Sequence, residues 1–372
     1  MNQSPSAEVV AQDLQYVLDS LREEFSAMAG KRLLITGGAG FLGYYLVQSV
    51  VEWNRHCRKG DSIELEVFDN FSRGLPDWLE ALQRDSQFTL VRQDMAKALP
   101  DQMGSFDFMI HAASIASPSY YRKHPIETMD ANVSGVRSLL EQFRQQSELG
   151  QGTAGFLFFS SSEIYGDPTP DAVPTPETYR GNVSCTGPRA CYDEAKRFGE
   201  TLCVNFARQF GLPVKVARPF NNYGPGLKIT DRRALPDFAR DIFAGRDVAL
   251  LSNGSPRRTF CYVADAVIGY FKVLVKGKAG EAYNIGVEGP EVSIAEVAEK
   301  VVALARNHLE YEGRVTQVRS DDPDYLVDNP SRRCPDIRKA RSDLGYAPSV
   351  SLDDGLLRTL LWYQDNQQAE DA

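Results

Sequence analysis

Paired cysteines, clustered histidines, a surplus of positive charge and long apolar runs are all missing from this sequence. Each absence argues against a class of function. The six cysteines (Cys57, Cys185, Cys191, Cys203, Cys261, Cys334) form no CxxC pair and no metal-ligand spacing, and the four histidines are too scattered for HExxH. A reduced chain without a structural metal is expected. The net charge of −9 argues against a general nucleic-acid or anionic-membrane surface, because both need a positive field. It leaves room for an anionic small molecule, since a local group of arginines can outweigh the global charge. No apolar run approaches the length that spans a bilayer. The opening "MNQSPSAEVVAQDLQ" has neither a basic stretch nor an apolar core of the kind that directs secretion, so a cytoplasmic chain is expected.

What is present is periodic. The chain of 372 residues has room for one large domain or two joined ones. Val10, Leu14, Val17, Leu18, Leu21, Phe25 and Met28 fit one face of a helix that can cover the domain, join a partner or lie on a membrane. Few basic residues flank that face, which favours packing. From Lys31 the pattern alternates: strands at "RLLIT", "IELEVFD", "FTLV", "FDFMIHAA", "FLFFSS" and "VKVARPF" are separated mainly by helices such as "LGYYLVQSVVEW" and "CYDEAKRFGETLCVNFARQF". Buried strands spaced in this way predict βαβ units and a parallel α/β sheet covered on both faces. Beyond Phe220 come loops rich in Gly, Pro, Asn and Arg, then helices at "VADAVIGYFKVLV", "IAEVAEKVVALARNHL" and "LDDGLLRTLLWYQ". The expected organisation is a helical extension over 1–29, a dinucleotide-binding domain over 30–217, a mainly substrate-binding part over 218–366 with some return to the first domain, and a tail over 367–372.

Three groups of residues carry chemistry. "TGGAGFLG" places Gly37, Gly40 and Gly43 between the first strand and first helix, where glycine lets the backbone turn tightly and approach a pyrophosphate. Such a turn alone could be only a βα corner. Here an acid, Asp69 in "VFDN", ends the next strand, placed to bind ribose hydroxyls and to repel a 2′-phosphate. This favours NAD over NADP, with Arg73 close behind. Asp94 ends the third strand and could reach an adenine or cap a helix. Tyr192 and Lys196 stand one helical turn apart and emerge on one face. A tyrosine is a poor base at neutral pH, but a neighbouring ammonium stabilises the phenolate. "FFSSSEIYGD" puts Ser161, Ser162 and Glu163 where a strand runs out. Arg218, Arg233 and Arg258 suit diphosphate or base contacts, with salt-bridge arginines as the alternative. Asn221 could make a turn, and Cys185 and Cys191 read as packing residues.

With these motifs the chain resembles the extended short-chain dehydrogenase/reductase family, in its nucleotide-sugar branch, from about Lys31 to about Leu361. The resemblance rests on "TGGAGFLG", "HAAS", "SSSEIYGD", "CYDEAKR", "ARPFNNYGPG", "RRTFCYVAD" and "YNIG". It implies a Rossmann domain with a smaller C-terminal substrate domain, bound NAD, and a homodimer joined through helices. Cofactor contacts then fall on Gly37, Gly40, Phe41, Leu42, Gly43, Asp69, Asn70, Asp94, Met95, Ala112, Tyr192 and Lys196. The base falls on Tyr192, while Tyr165 lacks a lysine one turn on. The triplet Ser161, Ser162, Glu163 is similar to the Thr-Ser-Glu of UDP-glucuronate decarboxylases. It differs from the Thr-Asp-Glu of dTDP-glucose dehydratases and from epimerases, which have no acid at the place of Glu163. "ASPSYYRKHP" and "RRCPDIRKARSDLGYAP" are similar to decarboxylase segments, the second bringing in Arg333, although the loop "DYLVDNPSR" before it is longer than usual. The implied substrate contacts are Ser117, Pro118, Tyr121, Asn221, Arg233, Arg258, Tyr262 and Arg333. The implied activity is decarboxylation of UDP-glucuronate to UDP-xylose through a 4-keto sugar. A 4,6-dehydratase or 4-epimerase shares the first oxidation, an oxidative decarboxylase would release NADH, and an NAD-sensing protein would need no catalytic pair.

Overall fold

The computed structural model describes residues 4–320, 322 and 327–367. Its centre is a seven-stranded sheet of β1 (Arg32–Thr36), β2 (Glu64–Asp69), β3 (Phe88–Arg92), β4 (Phe108–His111), β5 (Gly155–Phe159), β6 (Val214–Pro219) and β11 (Ala282–Ile285). The strand order is β11-β6-β5-β4-β1-β2-β3, and every pairing is parallel. The order reverses between β1 and β4, so a crevice opens at the carboxyl ends of those strands, the usual ligand site of such sheets.

The inner strands are largely apolar because both faces are covered, with β4 and β5 buried at every position. Leu33, Ile35, Val67, Ile110, Leu157 and Phe159 join one core. Their neighbours Leu34, Phe68, Met109, Phe156 and Phe158 join the core on the other face. This alternation is the period of two of a strand sandwiched between helices. The N-terminal segment forms α1 (Pro5–Ser20) and α2 (Arg22–Met28), followed by α3 (Phe41–His56), α4 (Asp77–Ala81), α5 (Pro118–Lys123), α6 (Pro125–Asp130), α7 (Val136–Glu148) and α8 (Ala190–Phe210). The second half holds α9 (Ala234–Phe243), α10 (Val263–Lys276), α11 (Ile294–His308), α12 (Arg338–Leu344) and α13 (Leu352–Asp365). Short strands β7 (Asn222–Tyr223), β8 (Val248–Leu250), β9 (Arg257–Arg258) and β10 (Cys261–Tyr262) precede β11, and β12 (Val292–Ser293), β13 (Val315–Gln317) and β14 (Arg332–Arg333) follow it.

The 217/218 division expected from sequence falls inside β6, and the chain crosses it repeatedly. α10 packs on β5 and β6, and β11, in the "YNIG" segment, adds the outer strand of the main sheet beside β6. Beyond Phe220 the sequence shows no sheet rhythm because the other strands there are two or three residues long. β9 is flanked by β12 and β14, which carries Arg333 to Arg258. The expected tail lies outside the described residues apart from Gln367. Among the described residues no helix is long and apolar enough to cross a membrane.

The N-terminal helix packs within the molecule, against α3, α10 and α13. Its apolar face is buried at Leu14, Val17 and Leu18. A fully buried carboxylate sits on that same face. Asp13 Oδ2 accepts from the Tyr45 hydroxyl at 2.6 Å and the Tyr262 hydroxyl at 2.5 Å, and its Oδ1 accepts from Arg358 at 2.6 Å. Removing one partner of such a network leaves the others desolvated and unpaired. We expect Asp13→Ala to lower unfolding free energy by roughly 3–5 kcal/mol, the range for breaking a buried pair. Urea denaturation of the two proteins measures this, and an unchanged midpoint would mean that the network contributes nothing.

Candidate active site

The turn after β1 is as tight as its glycines allow. Gly37 has φ +77°, and a Cβ there would stand 2.7 Å from the Ala113 backbone. A Cβ on Gly43 would stand 2.3 Å from the Gly38 carbonyl oxygen. Gly40 caps α3 with no side-chain acceptor, so the first-turn N–H groups remain available at the crevice. Asp69 ends β2 with its carboxylate fixed: Oδ2 accepts from Ala39 N at 3.0 Å and Oδ1 from Phe71 N at 2.8 Å. Burial raises its pKa against these backbone bonds. The next residue, Asn70, accepts from Ser72 N. Phe41 and Leu42 open α3, half-buried, and Ala112 N donates to Thr36 O. Met95 is buried beneath Gly135. A cradle without Cβ atoms, next to free amides and a strand-end acid, fits a dinucleotide. Asp94 makes a local turn, accepting from Ala96 N at 3.0 Å, and caps no helix, since none begins between β3 and β4.

β5 and α8 bring the reactive pair together. Tyr192 lies in the first turn of α8, its ring stacked on Tyr121 with centroids 5.1 Å apart and planes 12° apart. Burial pushes its pKa up to about 12, opposed by the hydrogen bond with the Ser161 hydroxyl. Lys196 Nζ donates to Phe159 O at 2.6 Å and stands 5.6 Å from the Tyr192 ring centroid. Burial brings its pKa down to about 7. Ser161 also accepts from Glu163 N at 3.1 Å, while Ser162 starts a buried turn of 3-10 helix running to Tyr165.

Glu163 then meets a group of arginines drawn from distant parts of the chain. Arg333 on β14 grips it with two N–H groups, one of them 2.7 Å from Oε2. Arg189, the N-cap of α8, bonds the same Oε2. Burial alone would raise the Glu163 pKa, but the two guanidiniums outweigh it and hold the carboxyl down at about 2. Arg258 stands close by, its own pKa brought down to about 9 by burial and then by Arg333. Its N–H groups go to the carbonyls of Arg257, Pro330 and Ser331 and to Asn329 Oδ1, so it holds the loop leading into β14. Three guanidiniums around one carboxylate leave excess positive charge beside Ser161 and Tyr192, a setting for an anionic group.

The remaining candidates divide. Ser117 Oγ donates to Asp231 O at 2.7 Å just before Pro118 opens α5, and Asp231 pairs with Arg233 and with Arg73. Arg233 also feels the Tyr192 hydroxyl, so this cluster faces the crevice. Asn221 has φ +43° and donates from Nδ2 to Thr259 O at 2.9 Å, a strained turn. Tyr262 is a correction. Its hydroxyl is committed to Asp13 beneath α1 and the residue is 1% exposed, which leaves it nothing to offer a substrate. Arg218 is likewise structural: it forms a two-pronged pair with Glu200 and donates to the Tyr165 hydroxyl. Two residues were missed from sequence, Arg189 and Asp193. Their signal was the i, i+4 spacing around Tyr192 in "GPRACYDEAKR", but nothing local says that Glu163 will come to lie against them.

The sequence profile of the NAD dependent epimerase/dehydratase family matches residues 33–286. UDP-glucuronic acid decarboxylase 5 of Arabidopsis thaliana is 35% identical over 336 residues, covering 90% of this chain and 90% of that protein. UDP-glucuronic acid decarboxylase 1 of Danio rerio is 34% identical over 335 residues, covering 90% of this chain and 72% of that protein. Among solved structures, a double mutant of the Streptomyces venezuelae dTDP-glucose 4,6-dehydratase, with NAD and DAU bound, superposes with a TM-score of 0.75 at 25% identity, covering 90% of this chain and 97% of that one.

Proposed function

Because this chain belongs to the NAD dependent epimerase/dehydratase family, we propose that it decarboxylates UDP-glucuronate to UDP-xylose, using NAD in each turnover. The observation that carries this reading is the double grip of Arg333 on Glu163, on the chain segment that also presents Ser161 to Tyr192. The similar decarboxylases support it.

Bound NAD supplies the hydride acceptor for C4 of the sugar and returns the hydride at the end. Tyr192 takes the proton of the sugar 4-hydroxyl, with the Ser161 hydroxyl bridging the two oxygens. Burial makes the phenol a weak acid, so the positive charge of Lys196 and of the cofactor ring is needed to bring it into use. The product of that step is a 4-keto sugar whose carboxylate stands β to the ketone, an arrangement that loses carbon dioxide because the remaining electron pair spreads into an enolate. The arginine group holds the carboxylate and offsets charge growing on oxygen. Ser117, Pro118, Tyr121, Asn221 and Arg233 line the way to the nucleotide. Incubating the protein with UDP-glucuronate and weighing the products tests the reading. Carbon dioxide and a pentose nucleotide are expected. An unchanged mass would mean epimerisation, and loss of water from a neutral hexose nucleotide would mean dehydration.

We also assign the protein to the cytoplasm, where its six free cysteines stay reduced, and to a homodimer. α6 and α8 pack side by side and leave Ile126, Met129 and Phe198 at 63%, 43% and 50% exposure, a surface that a second copy would cover. Phe198→Glu combined with Ile126→Glu is expected to halve the mass seen by analytical ultracentrifugation. A parent protein that sediments as a monomer would refute the dimer.

A further inference from the structure

Exchanging a carboxylate for hydrogen consumes one proton per turnover, and the residues assigned so far do not supply it. Tyr192 must return its proton to the 4-hydroxyl. Glu163 is held ionised by Arg189 and Arg333. Arg258 has its N–H groups committed to the loop before β14. Among the described carboxyl groups facing Glu163, the buried one with a proton to give is Asp193. It is 4% exposed, and its Oδ1 is buried without a hydrogen-bond partner. Its Oδ2 lies 3.9 Å from Arg189 Nε, and that nitrogen is also buried without a partner. An ionised carboxylate so close to a free guanidinium N–H would close to a hydrogen bond, whereas a neutral acid has little reason to. Burial, and then the charge of Glu163, push the Asp193 pKa up to about 8. The charged and titratable groups facing it are Glu163, Arg189, Arg333 on β14 and Asp328 in the loop before it, with Tyr121 on α5 and Cys191 and Tyr192 on its own helix.

We propose that Asp193 is a proton-holding neighbour of Glu163 that supplies, through the Glu163 carboxylate, the proton that C5 gains once carbon dioxide has left. The proposal rests on the decarboxylase reading above. Arg189 stands between the two carboxyl groups and favours whichever is charged. When the Asp193 O–H bond breaks and its proton passes to Glu163 Oε2, Arg189 shifts from that oxygen to Asp193 and Arg333 keeps only its bond to Oε1, leaving Glu163 as the acid. The electron pair of the enolate then forms the C5–H bond with that proton, and Glu163 returns to its arginines. Asp193 regains a proton from water between turnovers, so no further reactant is required. Asp193 acts through Glu163 and is a positioning residue rather than a catalytic one.

Single-turnover kinetics of the holoenzyme with UDP-glucuronate separate the steps, since absorbance of reduced nicotinamide rises with oxidation and falls with hydride return. The active form of Asp193 is the acid, so the decay in the parent protein should slow as pH rises through about 8, while the rise, which depends on Tyr192 and on Lys196 with its pKa near 7, should keep the same pH profile in Asp193→Asn as in the parent. Asp193→Asn should leave the rise intact, slow the decay on the order of 10²-fold, the lower end for loss of a general acid, and erase the alkaline limb. Asp193→Glu should recover part of the decay rate. A decay in the parent that is flat across that pH range overturns the inference, even if the variants fail to fold. So does an Asp193→Asn protein that decays at the parental rate. If the parent releases no carbon dioxide at all, the decarboxylase reading falls first and takes this inference with it.

Discussion

Tyr192→Phe is expected to lose turnover by ~10²–10⁴-fold, the range for removing a general base, while binding cofactor and nucleotide sugar almost as the parent does. The phenylalanine ring keeps its place against Tyr121, because the stacking at 5.1 Å involves the ring and not the hydroxyl. What goes is the proton acceptor, together with the partner of the Ser161 hydroxyl. Lys196 is held separately by the Phe159 carbonyl, so its position should survive. Calorimetric titration with NAD and with a UDP-sugar, alongside turnover, tells chemistry from folding. A variant with near-parental turnover would remove Tyr192 from its role.

Arg333→Ala should spare oxidation and block the loss of carbon dioxide. Tyr192, Ser161 and Lys196 all sit on α8 or at the end of β5, whereas the side-chain bonds of Arg333 go to Glu163. Arg333 reaches the site from β14, across the crevice. Its loss removes a positive charge from beside the sugar carboxylate in a poorly solvated place, where one such contact is worth roughly 10²-fold in rate. It also leaves Glu163 with Arg189 and the less direct charge of Arg258, so the Glu163 pKa should move up from its depressed value. Rapid mixing with substrate should show reduced nicotinamide accumulating with little carbon dioxide released. A variant that binds substrate yet forms no reduced nicotinamide would place Arg333 in the oxidation step or in the initial pose.

The contrast between these two residues shows where the sequence is readable. Tyr192 and Lys196 are one helical turn apart and Gly37 comes directly after a strand, so local periodicity places them on the right elements. The parallel sheet is legible for the same reason, since strands covered on both faces read as near-continuous apolar runs. Contacts between distant segments are not legible in this way. Nothing near Tyr262 announces that its hydroxyl will meet Asp13, 249 residues away, and Asp13 reads locally as a polar interruption of an apolar face. Arg218 looks like a phosphate ligand until Glu200, one element earlier, is seen to neutralise it. Arg333 could be placed only through resemblance, because the pairing of β14 with β9 is two residues long and carries no pattern. Asp193 shows the same limit: its spacing from Arg189 is visible, but the burial and the nearby Glu163 charge that push its pKa up are not.

The grip of α1 on α13 also has a temporal side. The Ser6 hydroxyl bonds Asp365 at 2.6 Å across 359 positions, and Asp13 meets Arg358 across 345. A ribosome completes α1 long before α13 exists, so the bonds of Ser6 and Asp13 to α13 can form only after the chain between them has been made. Joining ends so far apart carries a loop-closure cost on the order of 5 kcal/mol if nothing in between has folded. Once the central sheet has formed and brought α3 and α10 into place, most of that cost has already been met. The seating of α1 against α13 is therefore among the last contacts to form.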